Sequence, residues 1–343
     1  MKPALLRVGR SLGVLLVVLT LTYAIFYLAP IDPALAMCGK PCSPEDLEAA
    51  RGFMGFDKPW FVQLGSFLSA IVLGRTYGSG DVVLACAAPC LGYSFQLHQG
   101  VTTLIGQRFP VSFSVALGAV ALQSVLGIAS GAIAARRQGG LLDRIVTGVS
   151  VIAASAPAFV VGLLAVVVFA LKLGWLPSGG YVPFHENPAQ WAWHLVLPWA
   201  TLAFLNGAIY ARLVRSSMIE QLGLDYARTA RAAGLTERTI DRYALRNLAL
   251  PLLTLVALDI GALLGGTVIT ERIFGLAGLG ALLLDATSTA DLPVIVGTTF
   301  VGSLLIVLAN LASDLSRPLL DRRLAAGGGR RARTAGEPAP DTP

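Results

Sequence analysis

Hydrophobic residues along this chain are concentrated in six long runs, separated by shorter polar segments. Each run can cross roughly 30 Å of hydrocarbon as an α-helix that rises about 1.5 Å per residue. The runs lie at Ser11–Ala29, Phe109–Ala135, Ile145–Leu171, Leu195–Val214, Leu252–Thr270 and Pro293–Leu311. The pattern therefore predicts an all-α polytopic membrane protein with six transmembrane helices.

Composition agrees with this prediction, since 55% of the residues are hydrophobic and only 13% are charged. Basic residues precede the first run, but no small-x-small cleavage site follows it, so we interpret it as an anchor rather than a signal peptide. The net charge of +6 comes mostly from arginines beside the apolar runs, which indicates positive-inside topology rather than nucleic-acid binding.

The basic clusters fall in alternate connections, so both termini are predicted to be cytoplasmic in a bacterial inner membrane. The predicted regions are a cytoplasmic N-terminus at 1–10, a first membrane helix at 11–29, an extracytoplasmic loop at 30–108, a transmembrane core at 109–323 that includes a cytoplasmic segment at 215–251, and a tail at 324–343. The tail is rich in glycine and proline and is predicted to be disordered, with its basic part near anionic lipid.

The stretch from Asp225 to Pro251 is a polar, arginine-rich interruption of the apolar pattern. Its sequence predicts a short helix, a stop at Gly234 where glycine can take a positive φ, and a second helix. A small-residue face is expected from Ala227, Ala230, Ala233 and Leu235. Such a helix-turn-helix between two spans is predicted to be a docking surface.

Motifs for catalysis or cofactor binding do not occur in the sequence. None of the four lysines stands in a phosphate-binding loop, and neither Gly-x-Ser-x-Gly nor His-Glu-x-x-His is present. His98, His185 and His194 lack the spacing of a zinc site. We therefore predict that the chain is not an enzyme and binds no metal or cofactor itself.

Four cysteines, Cys38, Cys42, Cys86 and Cys90, form two Cys-x-x-x-Cys pairs in the predicted extracytoplasmic loop. An oxidising compartment favours disulfides, whose three pairings the sequence leaves open. A thiolate metal or iron–sulfur site is the alternative.

Two positions near the fifth run are candidates for a translocation path or gate. Asp259 is predicted near the middle of the membrane, either paired with a neighbouring helix or lining a polar passage, while Gln123 and Asn206 are expected to form hydrogen bonds between helices. The segment after this run is dense in glycine beside a charged pair and predicts a tight re-entrant turn, with Glu271, Phe274, Gly278 and Gly280 as its candidate residues.

The motifs together resemble the dipeptide/oligopeptide family of permease subunits of binding-protein-dependent ABC importers. The resemblance covers about Leu5 to Arg323. Besides the central stretch, it rests on Pro30-Ile-Asp32-Pro33-Ala34, Ser155-Ala-Pro157-Ala-Phe159, Leu173-Gly-Trp-Leu-Pro177-Ser-Gly179, His194-Leu-Val-Leu-Pro198, Arg212-Leu-Val-Arg215 and Asn310-Leu-Ala-Ser-Asp314.

The resemblance implies a type I importer fold, a homologous second permease, two cytoplasmic ATPases that hold ATP and magnesium, and an extracytoplasmic solute-binding protein. It also implies that the central stretch couples ATP hydrolysis to transport. The coupling residues would be Arg228, Ala230, Arg231, Ala233, Gly234, Leu235 and Arg238. The cargo would be di- or oligopeptides, with haem or nickel chelates carried by relatives.

Three features depart from the family pattern. Ala277 stands where a proline is usual, Asp259 is unexpected at its position, and about Gly74 to Cys90 is an insertion that would form a rigid lid if its cysteines were tied to Cys38 and Cys42. A proton-coupled secondary transporter that uses Asp259 is the alternative function, and a channel or scaffold would not need the docking stretch.

Overall fold

The computed structural model describes residues 2–28, 34, 43–55, 57–78 and 83–320. Within these residues the helices are α1 (Lys2–Leu28), α2 (Pro44–Met54), α3 (Trp60–Leu73), α4 (Val101–Arg136), α5 (Leu141–Ser155), α6 (Ala158–Ala165), α7 (Pro188–Gly223), α8 (Asp225–Ala232), α9 (Glu237–Asn247), α10 (Ala249–Gly266), α11 (Val268–Ile273), α12 (Leu279–Ser288) and α13 (Leu292–Leu320). A π-helical turn, Val166–Lys172, continues α6. The strands are β1 (Arg75–Tyr77), β2 (Leu84–Cys86), β3 (Tyr93–Ser94) and β4 (Gln99–Gly100).

The two longest helices, α4 and α7, pack against each other at the centre of the fold. Small residues permit this approach, because a Cβ on Gly127 would lie 2.8 Å from the carbonyl oxygen of Gly207 and one on Gly131 would meet Ala211 and Val214. Glycines spaced four apart let helix backbones come close where lipid supplies no hydrophobic driving force. The α4–α7 pair therefore forms the frame on which α5, α10 and α12 pack.

Three helices in the described residues are long and apolar enough to cross a membrane, namely α4, α7 and the Leu292–Ala312 part of α13. Two bent pairs also qualify if each counts as one span: α5 with α6, and α9 with α10. Within the described side chains, α1 contributes the shorter apolar helix Gly9–Ile25. A multi-pass membrane protein follows from these helices, while the count of six spans stays a prediction.

The third predicted span, Ile145–Leu171, is not one straight helix. The chain bends by 109° between α5 and α6, where Ala156 has extended backbone angles and Pro157 precedes the next helix. Proline disfavours helical geometry in the residue before it, which explains the break. The second predicted span also begins earlier than the apolar run indicated, because α4 starts at Val101 rather than Phe109.

Between α1 and α4, the described part of the segment at 43–100 contains α2, α3 and two antiparallel strand pairs, β1 with β2 and β3 with β4. Cys86 and Cys90 form a disulfide with each other, so the predicted lid tied through these cysteines to Cys38 and Cys42 is wrong. Cys38 and Cys42 lie outside the described residues.

A buried contact fixes the β3 strand to the start of α13. The Ser94 hydroxyl donates to the Asp291 carboxylate, which also accepts from the Val294 N–H. Burial raises the pKa of Asp291, and these two donors oppose that rise because they stabilise the ionised form. The segment before α4 is thus anchored to the start of α13.

Candidate functional site

The turn between α8 and α9 has the geometry that the sequence predicts. Gly234 adopts a φ of +79°, and the N–H groups of Gly234 and Leu235 donate to the carbonyl oxygens of Arg231 and Ala230 at 3.0 and 3.1 Å. This reversed hydrogen bonding ends a helix where a residue without a Cβ can turn left-handed. The sequence therefore sets the end of helix α8, because Gly234 can adopt the left-handed conformation that ends it.

One surface of the turn between α8 and α9 is exposed. The Arg228 side chain is 74% exposed and Leu235 is 42% exposed, and Ala233, Gly234 and Arg238 are exposed as well. We call residues 228–238 the coupling turn, after the role that the family resemblance predicts for them. Ala230 is half-buried, whereas Ala227 is fully buried and faces the protein. The expected small-residue face is thus divided, and Ala227 belongs to the packing side.

Arg231 stabilises the coupling turn through hydrogen bonds to the chain's own residues. Its Nε donates to Glu237 Oε1 at 2.9 Å across the turn, and its Nη1 donates to the Leu222 carbonyl oxygen at 3.4 Å. Among the residues that the structure describes, Arg228 has a looser, exposed partner in Asp225, at 3.6 Å. A charge held by several partners is less available to another protein, so Arg228 is the better candidate for an intermolecular contact.

The underside of the coupling turn is tied to the membrane helices. The Gln221 side chain at the end of α7 accepts from the Tyr226 hydroxyl of α8 at 3.2 Å and from the Asn247 amide of α9 at 2.9 Å. Arg136 at the end of α4 forms an ion pair with the buried Asp241 of α9. Helices α8 and α9 are therefore held against the ends of both α4 and α7.

A second ion pair joins α5 to α7. Asp143 accepts from the Nε and Nη2 atoms of Arg215, the latter at 2.8 Å, and from the Gly139 N–H at 2.9 Å. Bidentate geometry of this kind fixes orientation as well as distance. The connection between α4 and α5 is thus locked to the same end of α7 that carries α8.

Asp259 lies where three helices meet. Its Oδ2 accepts from Gln123 Nε2 of α4 and from the Tyr210 hydroxyl of α7, both at 2.7 Å. The interhelical role expected for Gln123 is confirmed. This geometry matches a carboxyl paired with neighbouring helices, although the residue is only half-buried.

Glu271 is fully buried and holds the turn that follows α10. Its Oε1 accepts from the Ser112 hydroxyl at 2.6 Å and from the Thr267 hydroxyl at 3.1 Å, and its Oε2 accepts from the Ala281 N–H at 2.8 Å. Ser112 in turn accepts from the Leu279 N–H at 2.8 Å. We call these groups the Glu271 network; it joins α4, α11 and α12.

The other predicted gate residues pack around this network. Gly278 leaves no room for a Cβ because the Glu271 carboxylate lies against it, and a Cβ on Gly280 would lie 2.8 Å from the Val268 Cα. Phe274 is buried among apolar residues of α4 and α7, and its carbonyl oxygen accepts from the Gly180 N–H at 2.9 Å. The structure confirms that the chain makes a tight turn here, whereas the role of this turn as a gate stays a prediction.

Several residues of these networks were not identified from the sequence. Ser112 and Tyr210 are ordinary members of apolar runs, so their pattern carries no signal of a role. Asp143 and Asp241 offered a signal, because each is an acid within a basic cluster that the sequence predicts to be cytoplasmic.

Comparison with known proteins shows which family the sequence of this chain matches. The family described as binding-protein-dependent transport system inner membrane component matches residues 127–326, and the N-terminal part described for such membrane components matches residues 2–116. A putative peptide transport system permease protein of Brucella abortus (strain 2308) is 37% identical over 319 residues, which cover 93% of this chain and 97% of that protein.

Two further similarities are more distant. The dipeptide transport system permease protein DppB of Lactococcus lactis subsp. cremoris (strain MG1363) is 33% identical over 325 residues, 94% of this chain and 99% of that protein. A solved chain of the MetNI methionine ABC transporter, in an inward facing conformation, aligns with a TM-score of 0.52 at 18% identity, over 64% of this chain and 98% of its own. At that identity the likeness shows the fold alone.

Proposed function

This chain belongs to the family of binding-protein-dependent transport system inner membrane components, and we propose that it is the permease subunit of an ATP-driven importer of di- or oligopeptides. It is a multi-pass membrane protein with the fold of a type I ABC importer permease. The observation that carries the proposal is the coupling turn, an exposed arginine-containing surface held on a rigid base.

The proposed assembly contains a homologous second permease, two cytoplasmic ATPases and an extracytoplasmic binding protein. ATP and magnesium are held by the ATPases, which receive the coupling turn of each permease. The relatives named as peptide and dipeptide permeases support a peptide cargo. Haem or a nickel chelate is the alternative cargo within the same mechanism.

The proposed mechanism is transmission of a rigid-body movement. Closure of the ATPases displaces the coupling turn, and the contacts of Gln221 and the Arg136–Asp241 ion pair carry that displacement into α7 and α4. The Asp143–Arg215 ion pair makes α5 follow α7. Because packed helices move as units, this tilting switches the passage between inward-facing and outward-facing states.

A proton-coupled transporter that uses Asp259 is the second candidate function. A proton carrier has to exchange its proton with solvent on each side in turn. The Asp259 carboxylate instead accepts two short hydrogen bonds from neighbouring helices, which favours a positioning role. We therefore keep ATP-driven import as the proposal.

The test compares two exposed leucines on different parts of the chain. Leu235 on the coupling turn is 42% exposed, and Leu97 before α4 is 50% exposed. Leu235→Asp introduces a charge into the proposed ATPase interface, where loss of a central contact costs about 2 kcal/mol or more, a roughly thirtyfold loss of affinity. Leu97→Asp makes the same chemical change away from that interface.

Each variant is expressed with its ATPases, extracted in detergent and purified through the permease. We expect Leu235→Asp to lose the ATPases and ATP-dependent uptake of labelled peptide, and Leu97→Asp to retain the ATPases. Retention of the ATPases and of uptake by Leu235→Asp would remove the coupling turn from the mechanism.

A further inference from the structure

We propose that helix α3, Trp60–Leu73, lies within the lipid of the extracytoplasmic leaflet, with its exposed face against acyl chains. This helix is part of the segment that the apolar pattern assigns to an extracytoplasmic loop. It is too short to span a membrane, with fourteen residues, so the proposal is a helix that enters one leaflet and does not cross it.

The depth of α3 follows from its aromatic contacts with two membrane helices. The Phe67 ring lies 5.8 Å from the Phe300 ring of α13 and 6.3 Å from the Tyr23 ring of α1. Phe300 is eight residues beyond Leu292, the start of the α13 span, which is about 12 Å along a helix. Tyr23 is five residues before the end of α1, about 8 Å. Phe67 is thus inserted between two spans below their ends.

The glutamine and serine side chains of α3 all bond to the protein's own backbone. Gln63 donates to the Lys58 carbonyl oxygen at 2.7 Å, Ser66 to the Val62 carbonyl oxygen at 2.9 Å, and Ser69 to the Ser66 carbonyl oxygen at 3.0 Å. An unsatisfied polar group costs several kcal/mol in hydrocarbon, so this internal bonding is what a lipid environment requires. Helix α3 itself contains no charged residue.

The face of α3 that points away from the protein is apolar. Phe61 is 60% exposed, Leu68 37%, Val72 74% and Leu73 82%. Phe61, Leu68 and Val72 follow helical spacing along one side, Leu73 extends the apolar surface at the end of the helix, and α3 packs beside α1, whose own exposed face is also apolar. Soluble surfaces rarely carry so continuous an apolar strip. Continuity with the surface of a membrane helix identifies lipid, rather than water, as the neighbour.

The start of α3 carries the residues that favour a membrane interface. Trp60 begins the helix, and Lys58 lies just before it. Tryptophan and long basic side chains are enriched at the level of lipid headgroups. In contrast, the preceding helix α2 has exposed acidic residues in its first turns and fits an aqueous position.

Photo-crosslinking tests the proposal. The photoreactive residue p-benzoylphenylalanine is placed at Leu68 or Val72 of α3, and at the exposed Glu48 of α2 as the matched control. The assembled transporter is reconstituted in vesicles of phosphatidylethanolamine and phosphatidylglycerol, illuminated, and its subunits are weighed by mass spectrometry. We expect phospholipid adducts from Leu68 and Val72 at yields at least fivefold above that from Glu48.

Two results would overturn the proposal: adducts from these positions to the second permease or to the binding protein, or lipid yields equal to the Glu48 control. Val72 is the more exposed position and still reports if the Leu68 variant does not assemble. Peptide uptake is measured in the same vesicles, and lipid adducts do not depend on it. Failure of the import proposal is thereby distinguished from failure of this one.

Discussion

Replacing Glu271 removes the side chain that joins three elements around the turn after α10. In Glu271→Ala, the buried Ala281 N–H loses its acceptor, which costs about 1–3 kcal/mol. The hydroxyls of Ser112 and Thr267 also lose theirs, at about 1 kcal/mol each if they find poorer partners. Together with the space left behind, we expect a destabilisation of about 3–5 kcal/mol.

The isosteric variant Glu271→Gln separates shape from hydrogen bonding. Its amide oxygen can accept from the Ala281 N–H, while its NH₂ group faces the two hydroxyls, which can rotate to accept from it. Each hydroxyl must then find another acceptor. The expected destabilisation is about 1–2 kcal/mol, smaller than that of the alanine variant.

The neighbouring ion pair provides a matched control. Arg272 pairs with Asp285, and their side chains are 47% and 56% exposed. Exposed ion pairs contribute about 0–1 kcal/mol, because water already solvates both charges. Asp285→Asn should therefore change stability by less than about 1 kcal/mol, although its partner Arg272 directly follows Glu271 in the chain.

The measurement is the temperature at which half of the purified protein loses its monodisperse gel-filtration peak in detergent. We expect the midpoint to be highest for Asp285→Asn, lower for Glu271→Gln and lowest for Glu271→Ala. An alanine variant as stable as Asp285→Asn would refute the bracing role of the Glu271 network. A glutamine variant that keeps the wild-type midpoint but loses peptide uptake would instead assign Glu271 to the passage.

Other parts of the structure give three further predictions. Asp259→Asn keeps an oxygen that accepts both hydrogen bonds, so ATP-dependent uptake should stay near wild type and be insensitive to a protonophore; abolished uptake would favour the proton-carrier function. Gly234→Val forces a β-branched residue to a φ of +79° and should weaken ATPase retention severalfold more than Gly234→Asn, which tolerates that angle; equal retention would contradict the strain argument. Mass spectrometry of non-reduced digests should find Cys86 linked to Cys90, and a link from either to Cys38 or Cys42 would contradict the structure.

The coupling turn shows what local sequence can and cannot predict. The glycine stop and the two short helices follow from residues within one turn of each other, and they were predictable. The direction of each side chain was not, since Ala227 faces inward only because α8 packs on α7. Likewise Arg231 looked like a partner-binding charge, whereas its bond to Glu237 depends on how the turn closes.

The sequence by itself determined that the chain enters a membrane, where its basic connections lie, and where the polar helix α8 stops, because hydrophobicity, charge and backbone freedom are properties of neighbouring residues. Tertiary structure alone decided the partners of Glu271 and Asp259. Glu271 meets Ser112 across 159 residues of sequence, and Asp259 meets Gln123 across 136. It also decided the place of α3 beside α1 and α13, since that depends on the rings Phe67 meets on those helices. Such contacts arise from helix packing, which no local pattern of apolar residues encodes.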